Sequence, residues 1–109
     1  MRFSRERPYE EILKELGVTP DLLFSAYLKL VHYLGSRFEN RIRYAQKALE
    51  IHPKDPGALR HLAWTYWLMG EKEKALETYR TLSQADPVSL QTVFQNQPLI
   101  KNAFYEKKI

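Results

Sequence analysis

His32, His52 and His61 are the three histidines of this 109-residue sequence. They are its natural candidates for proton transfer or metal ligation, because imidazole titrates near neutral pH. Neither use finds the partners it needs. No H-x3-H or H-E-x2-H spacing occurs to bring two imidazoles onto one helix face. There is no cysteine, which excludes a thiolate zinc site, a disulfide framework and a cysteine nucleophile. No nucleophile, base and orienting group can be drawn together from the remaining side chains. The chain is therefore read as non-enzymatic, with no catalytic residue, no metal and no cofactor. His52, within I-H-P-K-D-P, is read as a solvated loop residue.

The informative side chains are of another kind. Between Asp55 and Pro87, Leu59, Leu62, Ala63, Tyr66 and Met69 recur at the three- and four-residue steps of one helix face. Arg60, Trp64, Trp67 and Leu68 fall on a separate stripe of the same helix, so the two sets cannot all serve one core. Tryptophan and arginine carry binding energy more often than other residues, and large aromatics turned from a core tend to mark contact sites. The competing use is internal: both termini carry apolar residues that could fold over the tryptophans.

Local signals lay out the elements that must hold this stripe. Asp55-Pro56 and Asp86-Pro87 each pair an N-cap with a proline at the first helical position, and Gly70 marks a tight turn between helices expected at 56–69 and 71–85. Upstream, Thr19-Pro20-Asp21 starts a helix over 20–34, with Phe24, Tyr27, Leu28, Val31 and Leu34 on one stripe and Gly35 at its end. Ser36-x-x-Glu39 has capping-box spacing and is expected to open a helix over 37–51. Residues 8–16 read as a short helix with Ile12, Leu13 and Leu16 on one side, following a basic arm. After Pro87, Leu90, Val93 and Phe94 suit a helix of about two turns, and Gln97-Pro98 restarts a last one.

The totals agree with an all-α chain. Hydrophobic content is 44% and aromatic content 13%, enough for one domain that buries roughly two-thirds of its unfolded surface. No β-branched run alternates with polar residues. The start, M-R-F-S-R-E-R-P-Y-E-E, lacks the apolar run of a secretory signal. Leu22 to Leu34 carries Lys29 and His32 and is too short for a bilayer. A cytoplasmic protein without a membrane span is the expectation. The net charge of +4 permits an acidic partner without demanding one.

Leu59-x2-Leu62-Ala63-x2-Tyr66, then Ala75-x3-Tyr79, then Pro87, resembles the tetratricopeptide repeat. Leucine stands where that family often has tryptophan, and tyrosine replaces phenylalanine. Pro53 and Pro87 are 34 residues apart, the length of the repeat. The second helices of the two units align at a shift of 34, Ile42 with Leu76, whereas the first helices align better at 35, Phe24 with Leu59 and Gly35 with Gly70. One extra residue is therefore expected in the first unit's turn. Arg41 occupies the place of the small Ala75, where paired helices come closest, and is expected to snorkel and splay that hairpin. The resemblance implies a right-handed stack of antiparallel helical hairpins, with repeats at 20–55 and 56–89. An arm and short helix over 1–19 precede them, and a capping segment over 90–109 covers the far flank.

In that family successive first helices line a concave groove for extended or helical peptides. By resemblance, the groove here comprises Ser25, Lys29, His32 and Tyr33 from the first repeat and Arg60, His61, Trp64, Trp67 and Leu68 from the second. The reading is a protein–protein interaction module, an adaptor or assembly factor, whose partner is a protein or peptide that Lys29 and Arg60 would prefer acidic. The asparagines of the family's carboxylate clamp for chaperone C-termini are missing, so that activity is not carried over. A second reading is a self-assembling homo-oligomeric unit, since two repeats fall short of the usual three, and a weak homodimer is expected. A third, nucleic-acid binding through Arg37, Arg41, Arg43, Lys47 and Lys54, competes with a plain solvated face interleaved with Glu39 and Glu50. Two repeats would give little affinity for it.

Overall fold

A proline at the first turn of a helix loses no hydrogen bond, and a preceding Asp or Thr supplies the acceptor that the free N–H groups lack. The sequence uses this device three times, and each time a helix begins there. A computed structural model describes residue 11 and residues 15–106 of the chain. Six α-helices are described in full, α1 Pro20–Tyr33, α2 Phe38–Ile51, α3 Pro56–Leu68, α4 Lys72–Ala85, α5 Pro87–Asn96 and α6 Pro98–Glu106, with no strand among the described residues. Thr19 Oγ1 accepts from Leu22 N–H at 3.2 Å, Asp55 Oδ2 from Ala58 N–H at 2.9 Å, and Asp86 Oδ1 from Ser89 N–H at 3.3 Å. The helix expected over 8–16 lies mostly outside the described residues. No helix among them is long and apolar enough to cross a membrane.

Consecutive helices pack as antiparallel hairpins, α1 on α2 and α3 on α4, with α2 against α3 joining the two pairs. The principal core runs through α3 to α6 and contains Leu59, Ala63, Ala75, Leu76, Tyr79, Leu82, Leu90, Phe94, Ile100 and Phe104. Ala63 and Ala75 are fully buried, which lets α3 and α4 approach closely. A smaller cluster of Val31, Ala45 and Leu62 joins α1, α2 and α3, flanked by partly buried Ile42, Tyr44, Leu49 and Tyr66. Of the core residues implied by the repeat phase, Leu28, Ile42 and Tyr66 remain partly buried, while Leu62 and Ala75 are buried. After Pro87 stand the two helices expected there, the first somewhat longer than two turns. α5 is ten residues long, beginning at Asp86's cap, and α5 and α6 together bury Leu90, Phe94, Ile100 and Phe104.

The two hairpin turns differ as the register shift requires. Between α3 and α4, Gly70 adopts φ +84°, in the left-handed region that a side chain would disfavour. Its N–H donates to Trp67 O at 3.0 Å, and Glu71 N–H donates to Tyr66 O at 2.9 Å, the paired bonds of a Schellman motif. Between α1 and α2 there are four residues, 34–37, in place of three, 69–71. There Arg37 N–H donates to Leu34 O at 3.0 Å, and Arg41 Nη1 donates to Gly35 O at 2.9 Å. The expected Ser36–Glu39 capping box does not form. The helix starts one residue late, with Arg37 at the cap and no side-chain hydrogen bond to it. The Ser36 carbonyl is turned into the loop, where it accepts from Phe38 N–H at 2.9 Å.

Candidate binding groove

The Asp55 cap fixes where α3 begins, and α3's phase then decides which side chains leave the core. Leu59, Leu62 and Ala63 point inward and are buried, so Arg60, His61 and Trp64 face the side shared with α1 and α5. Thr65 is also buried, its Oγ1 donating to His61 O at 2.7 Å. The same face of α1 presents Lys29, His32 and Tyr33, all exposed, as is Ser25 one turn earlier.

These residues line two adjoining cavities. One, of about 340 Å³, lies between α1 and α3 and is lined by Leu28, Lys29, His32, Tyr33 and His61. The other, of about 250 Å³, lies between α3 and α5, with Arg60, His61 and Trp64 on one side and Val93, Asn96 and Gln97 on the other. Tyr79 of α4 forms part of its lining. His61 belongs to both cavities, and its ring meets that of His32 edge to face with centroids 5.5 Å apart. No acidic residue lines either cavity.

Electrostatics follow from that lining. Burial pushes the His61 imidazole below its ordinary value, and the nearby His32, Arg41 and Arg60 push the same way against a smaller opposing effect of Asp55. Burial raises the Tyr79 phenol well above its ordinary value, with Arg60 opposing, so Tyr79 stays protonated and can donate. Guanidinium, indole N–H, phenol and carboxamide groups thus surround the second cavity, an arrangement suited to oxygen acceptors.

The structure divides the sequence-derived set. Lys29, His32, Tyr33 and His61 gather at the first cavity, and Arg60, His61 and Trp64 at the second. Trp67 and Leu68 line neither. Lys72 Nζ stands 5.6 Å from the Trp67 ring centroid, and Leu68 is exposed near the end of α3. Both tryptophans are partly buried and pack against the principal core, so each ring serves stability as well as surface. The α5 contribution escapes a reading limited to two repeats. Asp86-Pro87 repeats the Asp55-Pro56 start, and that repetition is the signal in the sequence that could locate Val93, Asn96 and Gln97.

Two other residues differ from their sequence reading. His52 is not merely solvated: its Nε2 lies 3.0 Å from Asp21 Oδ1, and its ring packs edge-on to Phe24 at 4.5 Å, tying the segment after α2 to the start of α1. Arg41, counted with the basic face of α2, is instead partly buried and engaged with Gly35. Arg37, Arg43 and Lys54 remain exposed. Among the described residues, no group of three or more His, Asp or Glu side chains is placed to hold a metal ion.

Residues 38–92, from α2 into α5, match the tetratricopeptide repeat. No curated protein and no solved structure gives a significant match to the chain. With helical hairpins stacked in series and a family match over half its length, the chain belongs to the tetratricopeptide repeat family.

Proposed function

We propose that this protein is a non-catalytic protein–protein interaction module, an adaptor or assembly factor, that holds a peptide or partner helix along the α1–α3–α5 face. Members of the family generally act in this way. The observation that carries the reading here is the cavity beside Trp64, where a partly buried indole and the exposed Arg60 stand over a lining free of carboxylates. An acidic segment suits that lining. Lys29, His32, Tyr33 and His61 extend the contact across α1, and Trp67 and Leu68 extend it towards the end of α3.

Affinity capture from a lysate with the full chain, compared with Arg60→Glu and Trp64→Ala, tests this. Arg60→Glu should weaken capture of the retained protein while changing stability by no more than roughly 0.5 kcal/mol, as exposed substitutions usually do. Trp64→Ala should cost about 2 kcal/mol or more in binding and should also lower the melting temperature, because the ring packs on the core. Undiminished binding by the double variant would move the site to another face.

A self-assembling unit is the second reading. It is favoured by Leu22, Leu30 and Tyr33 on α1, which are 59%, 39% and 83% exposed, and by Leu99 on α6 at 72%. Light scattering during size-exclusion chromatography separates the two, since a clean monomer at high micromolar concentration ends the self-assembly idea.

A further inference from the structure

We propose that the His32–His61 pair couples the groove to protons, so that it binds acidic segments more tightly at pH 5.5 than at pH 7.5. This rests on the groove reading above and adds its regulation. The two imidazoles come from different repeats, α1 and α3, and meet edge to face at 5.5 Å where the cavities join. Proton binding by either therefore changes the charge at the centre of the groove.

The surrounding charges decide the direction. From α1 the pair faces Lys29. Arg41 of α2 acts on His61, as do Arg60 of α3 and Asp55 at the α3 cap. α4 contributes the neutral phenol of Tyr79, and α5 the neutral amides Asn96 and Gln97. Three cations thus oppose one carboxylate, and burial of His61 works in the same direction as the cations. In the free chain, charging His61 is disfavoured by its burial first, and then by His32, Arg41 and Arg60 beside it.

An acidic segment in the groove reverses the balance, because opposite charge within a few ångströms favours the protonated imidazole. Binding and protonation must then assist one another equally. Among the side-chain types that line the groove, imidazole is the one whose ordinary charge change falls in this range, so the histidines translate pH into groove charge. The sign is fixed by linkage: a proton taken up on binding makes affinity rise as pH falls. A gain of one pH unit in the preference of a single imidazole for its proton corresponds to about tenfold in affinity.

The test uses the full chain and a ten-residue oligo-aspartate peptide, whose carboxylates stay ionised above about pH 5. Binding is followed by calorimetry at pH 5.5 and 7.5 at constant ionic strength. Measurements near pH 6.5, in two buffers of different ionisation enthalpy, count the protons taken up. The expected result is about tenfold tighter binding at pH 5.5, with on the order of one proton taken up. His32→Gln/His61→Gln should abolish the uptake, and His52→Gln, away from both cavities, should leave it intact. If the double variant fails to fold, the exposed His32→Gln alone should reduce the uptake. Binding that is equal or weaker at pH 5.5, or uptake that persists in the folded histidine variant, overturns the proposal. In that case binding abolished by Arg60→Glu leaves the groove reading standing. No binding of the peptide at either pH overturns both.

Discussion

The two hairpins, α1 with α2 and α3 with α4, close differently. α3 and α4 meet through Ala63 and Ala75, both fully buried, and their turn ends in a three-residue Schellman closure. α1 and α2 have Arg41 at the position of Ala75, a turn one residue longer, and Val31, Ala45 and Ala48 as their buried residues. The two departures are connected, because Arg41 donates to the carbonyl of Gly35 inside the enlarged turn. Its Nε is buried without a protein partner, and burial disfavours its charge. Arg41 thus satisfies a loop carbonyl within the enlarged turn, whereas in the second hairpin backbone N–H groups satisfy last-turn carbonyls of α3. The lesson is that a residue departing from its repeat position and a longer turn a few residues away can be joined by a side-chain-to-backbone hydrogen bond.

That contrast can be broken most forcefully in the cores. Leu82→Ala, at a fully buried site, should cost about 3 kcal/mol in urea-induced unfolding, within the usual range for such cavities. Ile42→Ala, at a partly buried site of the first hairpin, should cost clearly less. Equal losses would mean that the first hairpin is as tightly packed as the second.

The turn offers a sharper test. Deleting Ser36 shortens the first turn to the length of the second, and Arg41→Ala restores the small residue. Each change alone should destabilise, the deletion by misplacing the guanidinium and the substitution by leaving Gly35 O without its donor. Combined, they should cost less than the sum, by about 1 kcal/mol in a double-mutant cycle. Strict additivity would show that the long turn and Arg41 are unrelated.

The caps give smaller effects common to both halves. Asp55→Ala should cost about 1 kcal/mol, and Thr19→Ala a similar or smaller amount because Thr19 is the more exposed. Hydrogen bonds from the Ser89 hydroxyl and then the Ser89 N–H hold the Asp86 carboxyl below its ordinary value. A group lowered in the folded state contributes stability that is complete above its unfolded value and drains away as pH falls through the folded one. Asp86→Asn should therefore flatten the acid limb of a melting-temperature profile below about pH 4. An unchanged limb would assign the acid sensitivity to other carboxylates.

Much of the architecture was legible because its signals are local. Thr19-Pro20, Asp55-Pro56 and Asp86-Pro87 mark helix starts through bonds spanning three residues. Gly35 and Gly70 mark turns through their own backbone conformation, and the one-residue difference between repeats exposed the longer first turn. The Ser36–Glu39 box was misleading for an equally local reason, since a one-residue delay in the start of α2 removes the geometry on which the motif depends.

By itself, then, the sequence determined the helices, their pairing into hairpins and the stripe on which Arg60, Trp64, Trp67 and Leu68 lie, all of which follow from period and capping within a few residues. Only the tertiary structure decided that Trp64 is shared between the core and a cavity facing α5, that His32 and His61 touch across two hairpins, and that His52 reaches Asp21. His32 and His61 are 29 residues apart and His52 and Asp21 are 31. Contacts at that range depend on the distance and angle at which the hairpins stack, and those are set by summed side-chain packing that no short sequence window contains.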